Sequence, residues 1–106
     1  MTQEEKLQIE GRIVEALKTV YDPEIPVNIY DLGLIYKIDL QEDGTLHIDM
    51  TFTAPACPAA DFILEDVRTK VEAISGVQSA NIEIVFEPAW DQSMMSEEAR
   101  VELGFE

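Results

Sequence analysis

The chain has 106 residues, enough for one compact domain and too few for two. Hydrophobic residues make up 46% of it and recur periodically, which excludes a disordered acidic tail. Its 22 acidic and 7 basic residues give a net charge of −15, a surface that repels phosphate backbones and anionic lipid and so argues against nucleic-acid or membrane partners. Such a charge serves solubility first, and attraction to a basic partner or to metal cations second.

Thr2 and Glu5 have capping-box spacing, and Ile9, Ile13, Ala16, Leu17 and Val20 follow at helical intervals. The spacing predicts a first helix that Asp22-Pro23 ends, because the residue before proline is pushed out of helical geometry. From Leu34 to Leu40, Leu34, Tyr36, Ile38 and Leu40 alternate with Ile35, Lys37 and Asp39. Glu42-Asp43-Gly44 supplies turn chemistry, and Leu46, Ile48, Met50 and Phe52 then alternate with His47, Asp49, Thr51 and Thr53. These runs read as an antiparallel hairpin with one apolar face.

A second helix is expected from Pro58 to Ser75, with Leu64, Val67, Val71 and Ile74 inward and Gly76 at its left-handed C′ position. Ala80 to Phe86 reads as a third strand with Ile82, Ile84 and Phe86 on one face. Ser96 caps a short acidic terminal helix. The order predicts a two-layer α+β domain spanning residues 1–106, with its longest loop from Tyr21 to Gly33. The opening TQEEKLQIEG lacks a secretion signal's apolar core, and no apolar run nears the ~20 residues that span a bilayer. One cysteine cannot form an intramolecular disulfide, so a cytoplasmic location is the expectation.

That cysteine, Cys57, lies in TFTAPACPAADF between Pro55 and Pro58. With Cys57 as the N-cap of the second helix, Pro58 takes the first helical position and the amides of Ala59 and Ala60 face the sulfur. A helix N-terminus favours the thiolate, the form that binds metals and attacks electrophiles. Asp61 in the same turn opposes this, leaving a modestly activated thiol. The alternative is a small buried hydrophobe, the commonest use of a free cysteine.

His47 is the only histidine, and it lies six strand steps from Thr53, about 20 Å. A Cys57–His47 dyad within one chain is therefore not expected. A structural zinc takes four ligands and a permanent iron–sulfur cluster normally four thiolates, so a metal at Cys57 needs ligands from carboxylates, a second copy or a partner. DPEIPVNIYD offers Asp22, Glu24 and Asp31. Asp31 reads foremost as a turn cap, whereas Asp22 and Glu24 read equally as turn caps or site carboxylates.

YDPEIPVNIYDLGLIY, the TxTAPxCP element from Thr51 to Pro58, and the tail from Pro88 to Gly104 together resemble the SufT/PaaD family of metal–sulfur cluster biosynthetic proteins. The resemblance spans nearly the whole chain. It implies an α-β-β-α-β iron–sulfur assembly fold, a role in cluster maturation or delivery to clients, and no enzymatic turnover. The family's signature cysteine falls on Cys57, its acidic element on Asp22 and Glu24, and its threonine on Thr53. Ala56 replaces a frequent glycine, and FEPAW (Phe86 to Trp90) replaces a WDPPW-like segment, changes that bear on loop flexibility and partner surface. The absence of further C-terminal cysteines points to the short SufT-like branch.

The implied chemistry is a labile iron–sulfur cluster held transiently through Cys57, with no tightly bound cofactor, and with scaffold or client proteins as partners. A homodimer would supply two thiols. The alternative is a metal-free adaptor that contacts partners through Trp90, Met94 and Met95, residues that on another reading pin the terminal helix to the domain. The α-β-β-α-β order is also similar to KH domains, but the GxxG loop is absent and the charge has the wrong sign for RNA.

Overall fold

A computed structural model describes residues 1–23, 25–53 and 59–105. Helix α1, Gln3–Leu17, starts at the predicted capping box: Thr2 Oγ1 accepts from the Glu5 amide at 3.1 Å, and the Thr2 amide donates to Glu5 Oε1 at 3.0 Å. Hydrogen bonding to the carboxyl by the Thr2 amide, and then by the Thr2 side chain, holds Glu5 below its ordinary pKa. Ile9, Ile13 and Leu17, four residues apart, form its buried stripe.

The helix ends at Leu17, short of Asp22. The Thr19 hydroxyl donates back to the Ala16 carbonyl at 2.6 Å, and the Val20 carbonyl turns to accept from the Ile29 amide at 2.9 Å. Pairing with the following loop thus releases the chain before proline would force it out. Lys70 from the second helix donates to the Thr19 carbonyl at 3.1 Å, supplying the cation that the last turn of α1 lacks.

Strands β1 (Ile35–Leu40) and β2 (Thr45–Met50) form the expected antiparallel hairpin, and β3 (Ser79–Ile84) pairs with β2 in parallel, giving the order β1-β2-β3. Parallel neighbours need a crossover, which α2 (Ala60–Glu72) provides. Register on β1 departs from simple alternation. Ile35 pairs with Met50 and Lys37 with Asp49, so Tyr36 is the extra residue of a bulge. The bulge returns Ile35 to the core side in place of Tyr36. The second hairpin strand ends at Met50, although Phe52 is buried as expected; Thr51 is buried too, and its amide donates to the Leu34 carbonyl at 2.8 Å.

Helix α2 begins two residues later than predicted, with Ala59 as its N-cap and no side-chain cap. The cap position therefore does not belong to Cys57. Its buried stripe is Ile63, Val67 and Val71, with Leu64 and Ile74 partly buried at its margins. Gly76 is left-handed at φ 101°, but it lies in the turn into β3 instead of at C′. Strand β3 stops at Ile84, and Phe86 is exposed, correcting the expected run through Phe86.

Beyond β3, a 3₁₀ turn (Gln92–Met94) precedes α3 (Glu97–Leu103), where Ser96 Oγ accepts from the Ala99 amide as predicted. This segment folds back onto the loop before β1. Trp90 Nε1 donates to the Leu32 carbonyl at 2.8 Å, and the Ser96 amide donates to the Asp31 carbonyl at 2.8 Å. Gly33, at φ 82°, lets the Met94 backbone approach so closely that any Cβ would overlap its carbonyl oxygen. Buried side chains from α1, α2, β1, β2 and the tail share one apolar core, against which Ala80, Ile82 and Ile84 of β3 pack partly buried. No helix among the described residues is long and apolar enough to cross a membrane.

Ile48, fully buried on the central strand, is a direct test of that core. Ile48→Ala should cost about 2–5 kcal/mol in urea unfolding. Gly33→Ala should weaken docking of the terminal segment by about 1–3 kcal/mol through backbone strain. Trp90, the sole tryptophan, reports this directly: its emission should shift red, and unchanged emission would mean that the close approach does not hold the segment.

Candidate functional site

The carboxyl ends of the parallel strands β2 and β3 place two segments at one end of the sheet: residues 51–53 and the chain leading to Trp90. Between them packs the loop before β1. An isolated bridge joins Tyr21 to Asn28, the Leu34 amide donates to the Ile29 carbonyl, and the Ile25 amide donates to the Asp22 carbonyl. Val27, Ile29, Leu32 and Leu34 are buried, so the loop is anchored by its own apolar residues.

Its polar residues divide by role. Asp31 is a turn residue: its amide donates to Asn28 Oδ1 and its carboxylate accepts from Asn28 Nδ2, each at 2.8 Å. That is the capping use expected for it. Asp22 is buried at 8% exposure and has a partner in the fold. Glu24 and Cys57 lie outside the described residues.

Thr53 is exposed and borders a cleft of about 380 Å³. Ile25 and Pro26 form one side of the cleft, and Leu32, Trp90 and Met95 contribute to its remaining wall with Leu103 and Phe105. The cleft therefore joins the loop after α1, the start of the TAPACP element and the C-terminal segment. Asp22 is not among its lining residues. A mainly apolar trough, whose polar lining side chains are the Thr53 hydroxyl and the Gln92 carboxamide, suits an apolar side chain or peptide segment better than a bare ion.

The tail residues expected to stand exposed for a partner are instead used largely within the fold. Met95 is buried, which corrects its reading as an exposed contact. Met94 is half-buried, and its Sδ accepts from the Tyr36 hydroxyl at 3.4 Å; the same hydroxyl reaches the Pro88 carbonyl at 2.8 Å. Burial, and then the nearby Asp91 carboxylate, push the Tyr36 phenol above its ordinary pKa. Asp91 itself is lowered by hydrogen bonds from the Ser93 hydroxyl and amide. Trp90 is half-buried, with its ring on the cleft wall and its indole N–H bonded to Leu32.

His47 faces the outer side of the sheet, as its strand position predicts, with its side chain 32% exposed. Sequence reasoning missed its neighbours there, Asp49 and Glu83. Strand parity could have found Asp49, two residues along; Glu83 becomes a neighbour only through the β2–β3 register.

Comparison with known proteins gives one family. The model of the iron–sulfur cluster assembly protein family matches residues 10–84. A Porphyromonas gingivalis Fe-S protein maturation auxiliary factor is 62% identical over 101 residues, covering 95% of this chain and 96% of the relative. The Staphylococcus aureus Fe-S protein maturation auxiliary factor SufT is 38% identical over 85 residues, covering 80% and 97% respectively. A crystal structure of a domain of unknown function from Bacillus anthracis superposes with a TM-score of 0.90 at 30% identity, covering 99% of this chain and all of that one. The chain belongs to the iron–sulfur cluster assembly protein family, in its short, SufT-like branch.

Proposed function

We propose that the protein is a non-enzymatic iron–sulfur maturation factor that passes clusters to client proteins through a transient bond to the Cys57 thiolate. The observation that carries this reading is the union, at Thr53, of the cysteine-bearing segment with an apolar cleft. A peptide from a client or scaffold seated in the cleft is brought close in sequence to the thiol, four residues beyond Thr53. The cytoplasm, where thiols remain reduced, is the compartment that this role requires.

A cluster normally takes four thiolates, and one chain supplies one. Even a homodimer supplies two, so partner thiols complete the set and the complex is labile. Asp22 and Glu24 act on this reading as carboxylates of the same loop end. Thr53, with its exposed hydroxyl, acts as a hydrogen-bonding group at the cleft rim. The competing role, a metal-free adaptor, draws support from the same cleft, because apolar lining with an aromatic wall is what a docking groove presents.

Anaerobic reconstitution with iron and sulfide, followed by activation of an apo-client carrying a [4Fe–4S] site, separates the two roles. Cys57→Ala should lower the activation rate at least roughly tenfold while pull-down of the scaffold persists, because a thiolate ligand is lost and the cleft is kept. Activation equal to wild type would remove the thiol role and leave the adaptor. Leu103→Glu, which places a charge in the cleft wall, should weaken pull-down in either role; full retention would show that partners dock elsewhere.

A further inference from the structure

The outer face of the sheet carries a second cluster with ligand chemistry. His47 and Asp49, two apart on β2, project to the same face, and the parallel register sets Glu83 of β3 beside Asp49. His47 Nε2 lies 2.8 Å from Asp49 Oδ1 and 3.8 Å from Glu83 Oε2. One ligand atom from each of the three residues lies within 4.8 Å of the others. A first-row ion with bonds of ~2.1 Å in tetrahedral geometry needs its ligand atoms about 3.4 Å apart, a value that the two distances from His47 bracket.

The three side chains sit on two adjacent strands, so the backbone ladder fixes their spacing. Asp49 and His47 are 23% and 32% exposed, and Glu83 is 64% exposed, which leaves one side open for water ligands. Across β1, Asp39 pairs with His47 and Lys37 with Asp49; across β3, Asn81 pairs with His47. Three carboxylates therefore face one ammonium on this part of the sheet, and the chain's net charge of −15 adds to the attraction for a cation.

We infer that His47, Asp49 and Glu83 form a binding site for a divalent first-row transition-metal ion, with water completing its coordination. One imidazole and two carboxylates are a donor set shared by zinc, ferrous iron, cobalt and nickel, and less suited to calcium. None of His47, Asp49 and Glu83 is among the residues that line the cleft, so this site is separate from it. It stands or falls independently of any role for Cys57.

The test uses the full chain with Cys57→Ser, so that the thiol cannot contribute. Titration with Co²⁺ alone is read by ligand-field absorption, and titration with Zn²⁺ alone by calorimetry. One equivalent is expected. Loss even of groups behind direct ligands costs ~10–100-fold in metal affinity, so His47→Asn should weaken binding at least tenfold. Glu83→Gln, at a largely exposed position, should act in the same direction, whereas Glu98→Gln on α3 should have no effect. Equal weakening by Glu98→Gln and Glu83→Gln would reduce the effect to surface charge and overturn the site. Unchanged affinity in His47→Asn would do the same. Co²⁺-induced NMR shifts should centre on residues 47, 49 and 83; shifts spread over the acidic surface would also refute the assignment.

Discussion

The parallel pairing of β2 with β3 is the constraint on which the rest of the structure depends. Two strands that run the same way cannot be joined by a tight turn, so the chain must leave β2, cross the sheet and return. Helix α2 makes that crossing and covers the apolar face with Ile63, Val67 and Val71. The TAPACP element is the first part of the crossover. Thr53, its first residue, therefore lies beyond the carboxyl end of the central strand, whatever the element's composition. Because β3 ends at the same side, the segment carrying Trp90 starts there too, and Thr53, Leu32 and Trp90 line one cleft. Crevices beyond the carboxyl ends of parallel strands are where open sheets containing them place ligands. Here that position holds the apolar cleft.

The β1 bulge works with this arrangement. An unbroken strand would keep Tyr36 on the core side with Ile38 and Leu40. The extra residue instead gives Ile35 the core position and frees the Tyr36 hydroxyl for Pro88 and Met94. Close packing at Gly33 fixes the same tail from the other side. The terminal segment is thus held against residues 32–36 by the Tyr36 phenol, by its own Trp90 indole bonded to Leu32, and by the backbone approach at Gly33. One wall of the cleft is built by residues that sequence spacing suggested as exposed contacts, because their partners lie 52–58 positions away.

What was legible in the sequence was local. Thr2 with Glu5, the Asp43-Gly44 turn and Ser96 each act over three or four residues, and each forms as read. The apolar alternation of β2 was equally clear because its whole face is buried. Errors arose where a distant segment competes with a local rule. The loop partner Ile29 draws Val20 out of the helix before Asp22-Pro23 acts. The cluster of His47, Asp49 and Glu83 was invisible for the same reason. Its third member depends on a register set by the crossover, and no spacing in the sequence encodes that.

A lone thiol also takes on a different meaning in this setting. A permanent cluster site encloses its metal with four ligands from one chain, and its stability would oppose release. A carrier requires the reverse, since what it binds must leave for a client that offers more ligands. On the proposed function, one cysteine four residues beyond the cleft-bordering Thr53 separates the two demands: the groove contributes partner affinity, while the thiol contributes only part of the metal affinity. Binding of the client can then be strong without the cluster being trapped, because the interactions that hold the protein partners are not those that hold the metal. On the proposed function, the scarcity of cysteine is what makes transfer thermodynamically downhill toward the client.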